Sequence, residues 1–144
     1  MAFAPIANAS SIGVNTATTA SRDTTGANFI ILGVSWTNGT TPTISDNKSN
    51  SWTPLTQQVG TYNTVGFWYS YPTSVGTSHT FSAATSSLYP AIAMAAFSGM
   101  AASGFDQQNG ATGSSVSSLA TGNITPSVNN ELIVSLWGSL SSPY

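Results

Sequence analysis

One histidine, His79, three aspartates and many serines are the ingredients of a Ser-His-Asp hydrolase, in which an imidazole takes a hydroxyl proton while a carboxylate holds the ring. The spacing argues against it. No Gly-x-Ser-x-Gly elbow occurs, and His79 lies within Thr77-Ser-His-Thr-Phe81, where a polar residue on the solvent face of a strand explains it without chemistry. Paired carboxylates for glycoside hydrolysis would have to be Asp106 and Glu131, which nothing in the sequence brings together. The segment Asp46-Asn47-Lys48-Ser49-Asn50 offers oxygen ligands at alternate positions, as calcium requires. Lys48 sits among them, however, and the glycine and distal glutamate of an EF-hand are missing, so a plain turn is expected. No catalytic residue, metal or cofactor is expected.

Aromatic residues are the better candidates for binding. Trp52, Tyr62, Trp68 and Tyr71, with Asn50, Gln57 and Asn63 nearby, could form a platform for sugar rings, whose C–H faces stack on flat apolar surfaces. The competing expectation is that the rings fill a core or a subunit interface, and Trp36, Trp68 and Trp137 are the candidates for an interface.

Charge excludes other classes. The chain of 144 residues has two cationic and four anionic side chains, 4% charged residues in all, where soluble domains average about 25%. Two cations cannot replace the counterions of a nucleic acid. One histidine and no cysteine cannot build a structural zinc site. No apolar run approaches the roughly 18 residues of a membrane helix, so membrane insertion is not expected. The start, Met1 to Ser10, lacks the cationic region of a secretion signal and reads as an extended arm that could reach a neighbour.

Turn residues interrupt every apolar run within about ten residues, the spacing of an all-β antiparallel sandwich. Strands are expected at 11–17, 28–36, 41–45, 51–57, 64–71, 78–83, 91–97, 115–119 and 131–137, within one domain over 11–144. Asn38-Gly39 predicts a tight hairpin, and 46–50 a hairpin loop. Strands 28–36, 64–71 and 131–137 carry apolar residues on both faces, so something must cover the second face: the segment 99–121 or another subunit. The edges lack the Lys and Glu that keep strands from pairing with neighbours. Ending soon after an apolar strand, the chain is expected to leave an edge for a partner strand or to lack the final strands of its sandwich.

The runs Gly26-Ala-Asn-Phe-Ile-Ile-Leu-Gly-Val-Ser-Trp36, Pro42-Thr-Ile-Ser-Asp46 and Asn50-Ser-Trp-Thr-Pro-Leu55 follow one another in a set order. Val65-Gly-Phe-Trp-Tyr-Ser-Tyr71, Gly76-Thr-Ser-His-Thr-Phe81 and Asn130-Glu-Leu-Ile-Val134 continue it. The pattern resembles the immunoglobulin-like β-sandwich modules of phage virion proteins and bacterial surface proteins. That resemblance implies an immunoglobulin-like or jelly-roll-like sandwich. It also implies a decoration, appendage or adhesion role on a virion surface or outside the cell. The partners expected are further copies of the chain, a capsid or filament protein, or a glycan, and the expectation is of a structural protein rather than an enzyme.

Overall fold

Alternating small and large apolar residues drive nine strands, among the described residues, into two antiparallel sheets. The computed structural model describes residues 3–102, 104–114, 116–129 and 131–139. The strands are β1 (Ala4–Ile12), β2 (Thr16–Thr18), β3 (Phe29–Thr37), β4 (Thr43–Asp46), β5 (Thr53–Pro54), β6 (Gln58–Val59), β7 (Asn63–Ser70), β8 (Phe81–Ala84) and β9 (Ala91–Ser98). The larger sheet runs β1-β9-β3-β7-β5, with β6 also on β7, and the smaller one runs β2-β8-β4. The protein is an antiparallel β-sandwich.

The core lies between the sheets. Ile30, Leu32, Val34 and Trp36 project from β3, Trp68 from β7, and Ile92, Met94 and Ala96 from β9. They meet Ala17 from β2, with Phe81 and Ala83 from β8. Full burial of a large apolar side chain is worth about 1.5–3 kcal/mol, so β3 alone supplies a large share of the driving force. β3 is central, paired with β7 on one side and β9 on the other, and its two covered faces explain a run with no polar alternation.

The outer face of the large sheet is covered by the chain itself. Residues 104–139, which form no strand among those described, lie across Phe29, Ile31 and Gly33 of β3 and across Val65, Phe67 and Tyr69 of β7. Leu136 packs so closely that a Cβ at position 33 would stand 3.0 Å from its Cδ1, and the leucine would have to give by a few tenths of an ångström to admit it.

Several expectations need correction. Segment 131–137 is not a strand, nor are the described residues of 115–119; Ser115 itself lies outside the described residues. The N-terminal arm forms most of β1, which pairs with β9 along its length; Met1 and Ala2 lie outside the described residues. Small residues explain it, since Ala7, Ala9 and Ser11 let this strand pack close to the smaller sheet. Neither expected hairpin forms. Asn38-Gly39 and 46–50 each carry the chain from one sheet to the other, because β4 pairs with β8 rather than with β3 or β5.

Candidate functional site

A buried polar cluster is built from three loops at one end of the sandwich. His79 and Arg22 form an isolated antiparallel bridge that brings the β2–β3 loop against the residues before β8. Thr24 on that loop places Oγ1 2.8 Å from His79 Nδ1. On the other side of the ring, Nε2 faces Asp46 Oδ1 at 3.3 Å, and neither side chain is open to water. Phe81 lies against the imidazole with ring centroids 4.2 Å apart. His79 is thus not on a solvent face, as its position between Ser78 and Thr80 suggested. Ser78, at φ 56°, and the bridge turn it inward.

Asp46 is the hub. Its Oδ1 accepts the Lys48 N–H at 2.7 Å, and its Oδ2 accepts the Trp52 indole N–H at 2.9 Å. Asn50 extends the clasp: its Oδ1 accepts the N–H groups of Thr73 and Ser74 at 2.9 and 3.0 Å, and its Nδ2 donates to Ser74 C=O at 2.9 Å. The loop oxygens that could have faced a cation are turned onto neighbouring N–H groups, the local pairing Asp and Asn make in turns. Burial holds the His79 imidazole below its ordinary value, and the neighbouring Asp46 carboxylate only partly opposes this. Thr24, His79 and Asp46 stand in the order of a hydroxyl–imidazole–carboxylate relay. With Thr24 and His79 sealed in the core, no substrate can approach the hydroxyl, and the chemistry available is structural.

The aromatic candidates divide among three places. Trp36 (2% exposed) and Trp68 (5%) lie in the core with ring centroids 5.9 Å apart. Trp52 is half-buried, edge-on to Phe81 at 6.0 Å. Tyr71 is half-buried on the outer side, where its hydroxyl accepts the Gly104 N–H. Tyr62 (66% exposed) and Trp137 (67%) stand in solvent. Trp52, Tyr62, Trp68 and Tyr71 therefore share no face, since the alternation along β7 points Trp68 inward and Phe67 and Tyr69 outward.

The outward face holds an aromatic group of which sequence reading singled out only Tyr71. Phe29 lies 6.1 Å from Tyr69 and 5.5 Å from Tyr71, and Phe105 stacks on Tyr69 at 6.0 Å with its plane within 9°. The signal was present in the alternation of Val65, Phe67 and Tyr69, but the partner Phe105 sits far along the chain in an irregular segment. Side-chain amides tether that segment. Gln108 pairs with both backbone groups of Thr56, and Gln107 with both of Thr125. Between it and the sheet lies a cleft of about 1420 Å³ lined by Phe67, Tyr69, Phe105, Gln58 and Asn63.

The remaining feature is the free edge of β1. This nine-residue strand has no charged side chain of its own, and Pro5 and a register shift between Pro5 and Ala7 guard its start. Arg22 reaches across to it, Nε donating to Asn8 C=O at 2.7 Å.

No protein family, curated protein or solved structure matches this chain.

Proposed function

We propose that this protein is a non-enzymatic structural subunit of a virion or other extracellular assembly, of the decoration or appendage kind. The observation that carries the reading is the long edge of β1, which has no charged side chain of its own and is open beyond Pro5, the register shift and the Arg22 contact to Asn8. A strand that presents unpaired N–H and C=O groups is a template for another chain, and stable monomers blunt such edges with charge. The near absence of charge elsewhere and the resemblance to immunoglobulin-like virion and surface modules support the same reading. The polar cluster around His79 adds no competing chemistry, because its hydroxyl and imidazole are sealed from solvent.

Light scattering and negative-stain microscopy across a salt series test it. With so few ionic contacts, assemblies should persist from low to molar salt. A monomer in all conditions, with no binding to a particle or filament, would sink the proposal, and so would assemblies that dissolve as salt rises.

A glycan-binding module is the second reading, favoured by the outer cleft, where Phe67, Tyr69 and Phe105 stand beside the amides of Gln58 and Asn63. Glycan-array binding lost in Tyr69→Ala, with the fold retained, would select it over the first.

A further inference from the structure

We infer that residues 131–137 of one copy leave their own outer face, where Leu136 lies over Gly33, and add as a strand to the open β1 edge of a second copy, so that chains join head to tail. This rests on the assembly reading and names its contact.

The edge has a readable polarity. In an antiparallel ladder, successive residues aim their N–H and C=O groups at alternate sides. Ala7, Ala9 and Ser11 lie opposite Ala96, Met94 and Ile92, and the Gly13 N–H continues the series by donating to Pro90 C=O at 3.0 Å. Asn8, Ser10 and Ile12 therefore aim outward, and Asn8 shows it by giving its carbonyl to Arg22. Beyond Arg22 the outward groups of Ser10 and Ile12 have no strand beside them.

Segment 131–137 is the complementary half. Leu132, Val134 and Leu136 alternate with Ile133, Ser135 and Trp137, a strand pattern rich in β-branched residues. Yet among the described residues 132–137 make no hydrogen bond, and Ile133 is 65% exposed. In the single chain water meets these exposed backbone groups; burying the apolar side chains against a partner requires that they be paired, and a ladder is the way to pair them.

Leu136 and Trp137 lie near Ser10–Ile12 of their own chain, but reach keeps the start of the segment from that edge and assigns the full pairing to different copies. Ser127 is tied to Asp106, beside Phe105 where it stacks over β7. From Ser127, four residues extend at most ~14 Å. A strand outside the chain's own β1 would lie four strand spacings from β7, ~19 Å. Charge sets the register. Arg22 is the only cation at the edge, and Glu131 is the only charge in the segment. A parallel alignment puts Glu131 beside Asn8 and Arg22, Ile133 beside Ser10 and Ser135 beside Ile12, and it runs away from Pro5, which has no N–H to offer.

The chain has no cysteine, so engineered ones report without background. Ser10→Cys and Ile133→Cys chains, made separately, are mixed and treated with a short bismaleimide while light scattering follows assembly. A cross-linked dimer of unlike chains is expected. Arg22→Glu should abolish it, and Arg22→Glu combined with Glu131→Arg should restore it. Assembly without the cross-link would overturn the donated strand and leave the assembly reading standing. Neither assembly nor cross-link would overturn both. A Ser10→Cys/Ile133→Cys double variant that cross-links only within one chain would also overturn the inference, since the segment would then pair its own edge.

Discussion

His79 Nε2 and Asp46 Oδ1 stand 3.3 Å apart with both side chains closed to water, and this contact fastens the β2–β3 loop and β4 to the approach to β8. A neutral imidazole meets the geometry best. Thr24 Oγ1 donates to Nδ1, Nε2–H faces the carboxylate, and no charge is stranded beyond that of Asp46.

This arrangement predicts an acid limit to stability. Folding lowers the His79 value from 6.5, with burial as the first cause, so the unfolded chain takes up the proton first. The contribution of His79 is complete above about pH 6.5 and drains away as pH falls from there through the folded value. Asp23 and Asp106, whose values are held below 3.8 by hydrogen bonds from Thr25 and Ser127, act only at lower pH. Melting temperature should be flat from pH 8 to 7 and fall between pH 6.5 and 5. His79→Gln should flatten that slope, and an unchanged slope in the variant would assign the effect elsewhere.

Asp46 should matter more to stability than its place at the end of the short strand β4 suggests. Asp46→Ala strips the Trp52 indole and the Lys48 N–H of their acceptor, and leaving such part-buried donors unmet costs up to about 1–3 kcal/mol each. A loss of about 2–4 kcal/mol in urea unfolding is expected, with a blue or red shift in Trp52 emission. A loss within error of zero would mean that water replaces the carboxylate freely.

The two faces of the large sheet should differ in energetic weight. Leu32→Ala empties a fully buried site between the sheets and should cost about 2–5 kcal/mol. Leu136→Ala removes a half-buried side chain from an irregular cover and should cost about 1 kcal/mol. Equal losses in denaturant melts would show that the cover is as much part of the core as the inter-sheet layer.

Tryptophan quenching separates the interior from the cover. Trp36 and Trp68 are buried, while Trp137 is exposed. Acrylamide should quench a minor, red-shifted component that Trp137→Phe removes. If the variant keeps that component, Trp52 rather than Trp137 is the accessible ring.

The strands of the sandwich centre were legible because their residues carry the reason locally. Phe29 to Trp36 is apolar on both faces, and Val65 to Tyr71 alternates aromatics, so each must be a strand with cover on its outer side. That something covers the outer face followed from the same alternation; that residues 104–139 do it, with Leu136 over Gly33, depended on contacts between positions far apart in the chain. Sheet membership was equally non-local. Asn38-Gly39 has hairpin chemistry, yet the pairing of β4 with β8 turns it into a crossover, because a turn's residues fix its bend and not the sheet its strands join. His79 shows the limit most plainly: a polar residue between Ser78 and Thr80 looks solvated, and Thr24 and Asp46, brought from two other segments, together with the Phe81 ring two residues on, make its burial possible.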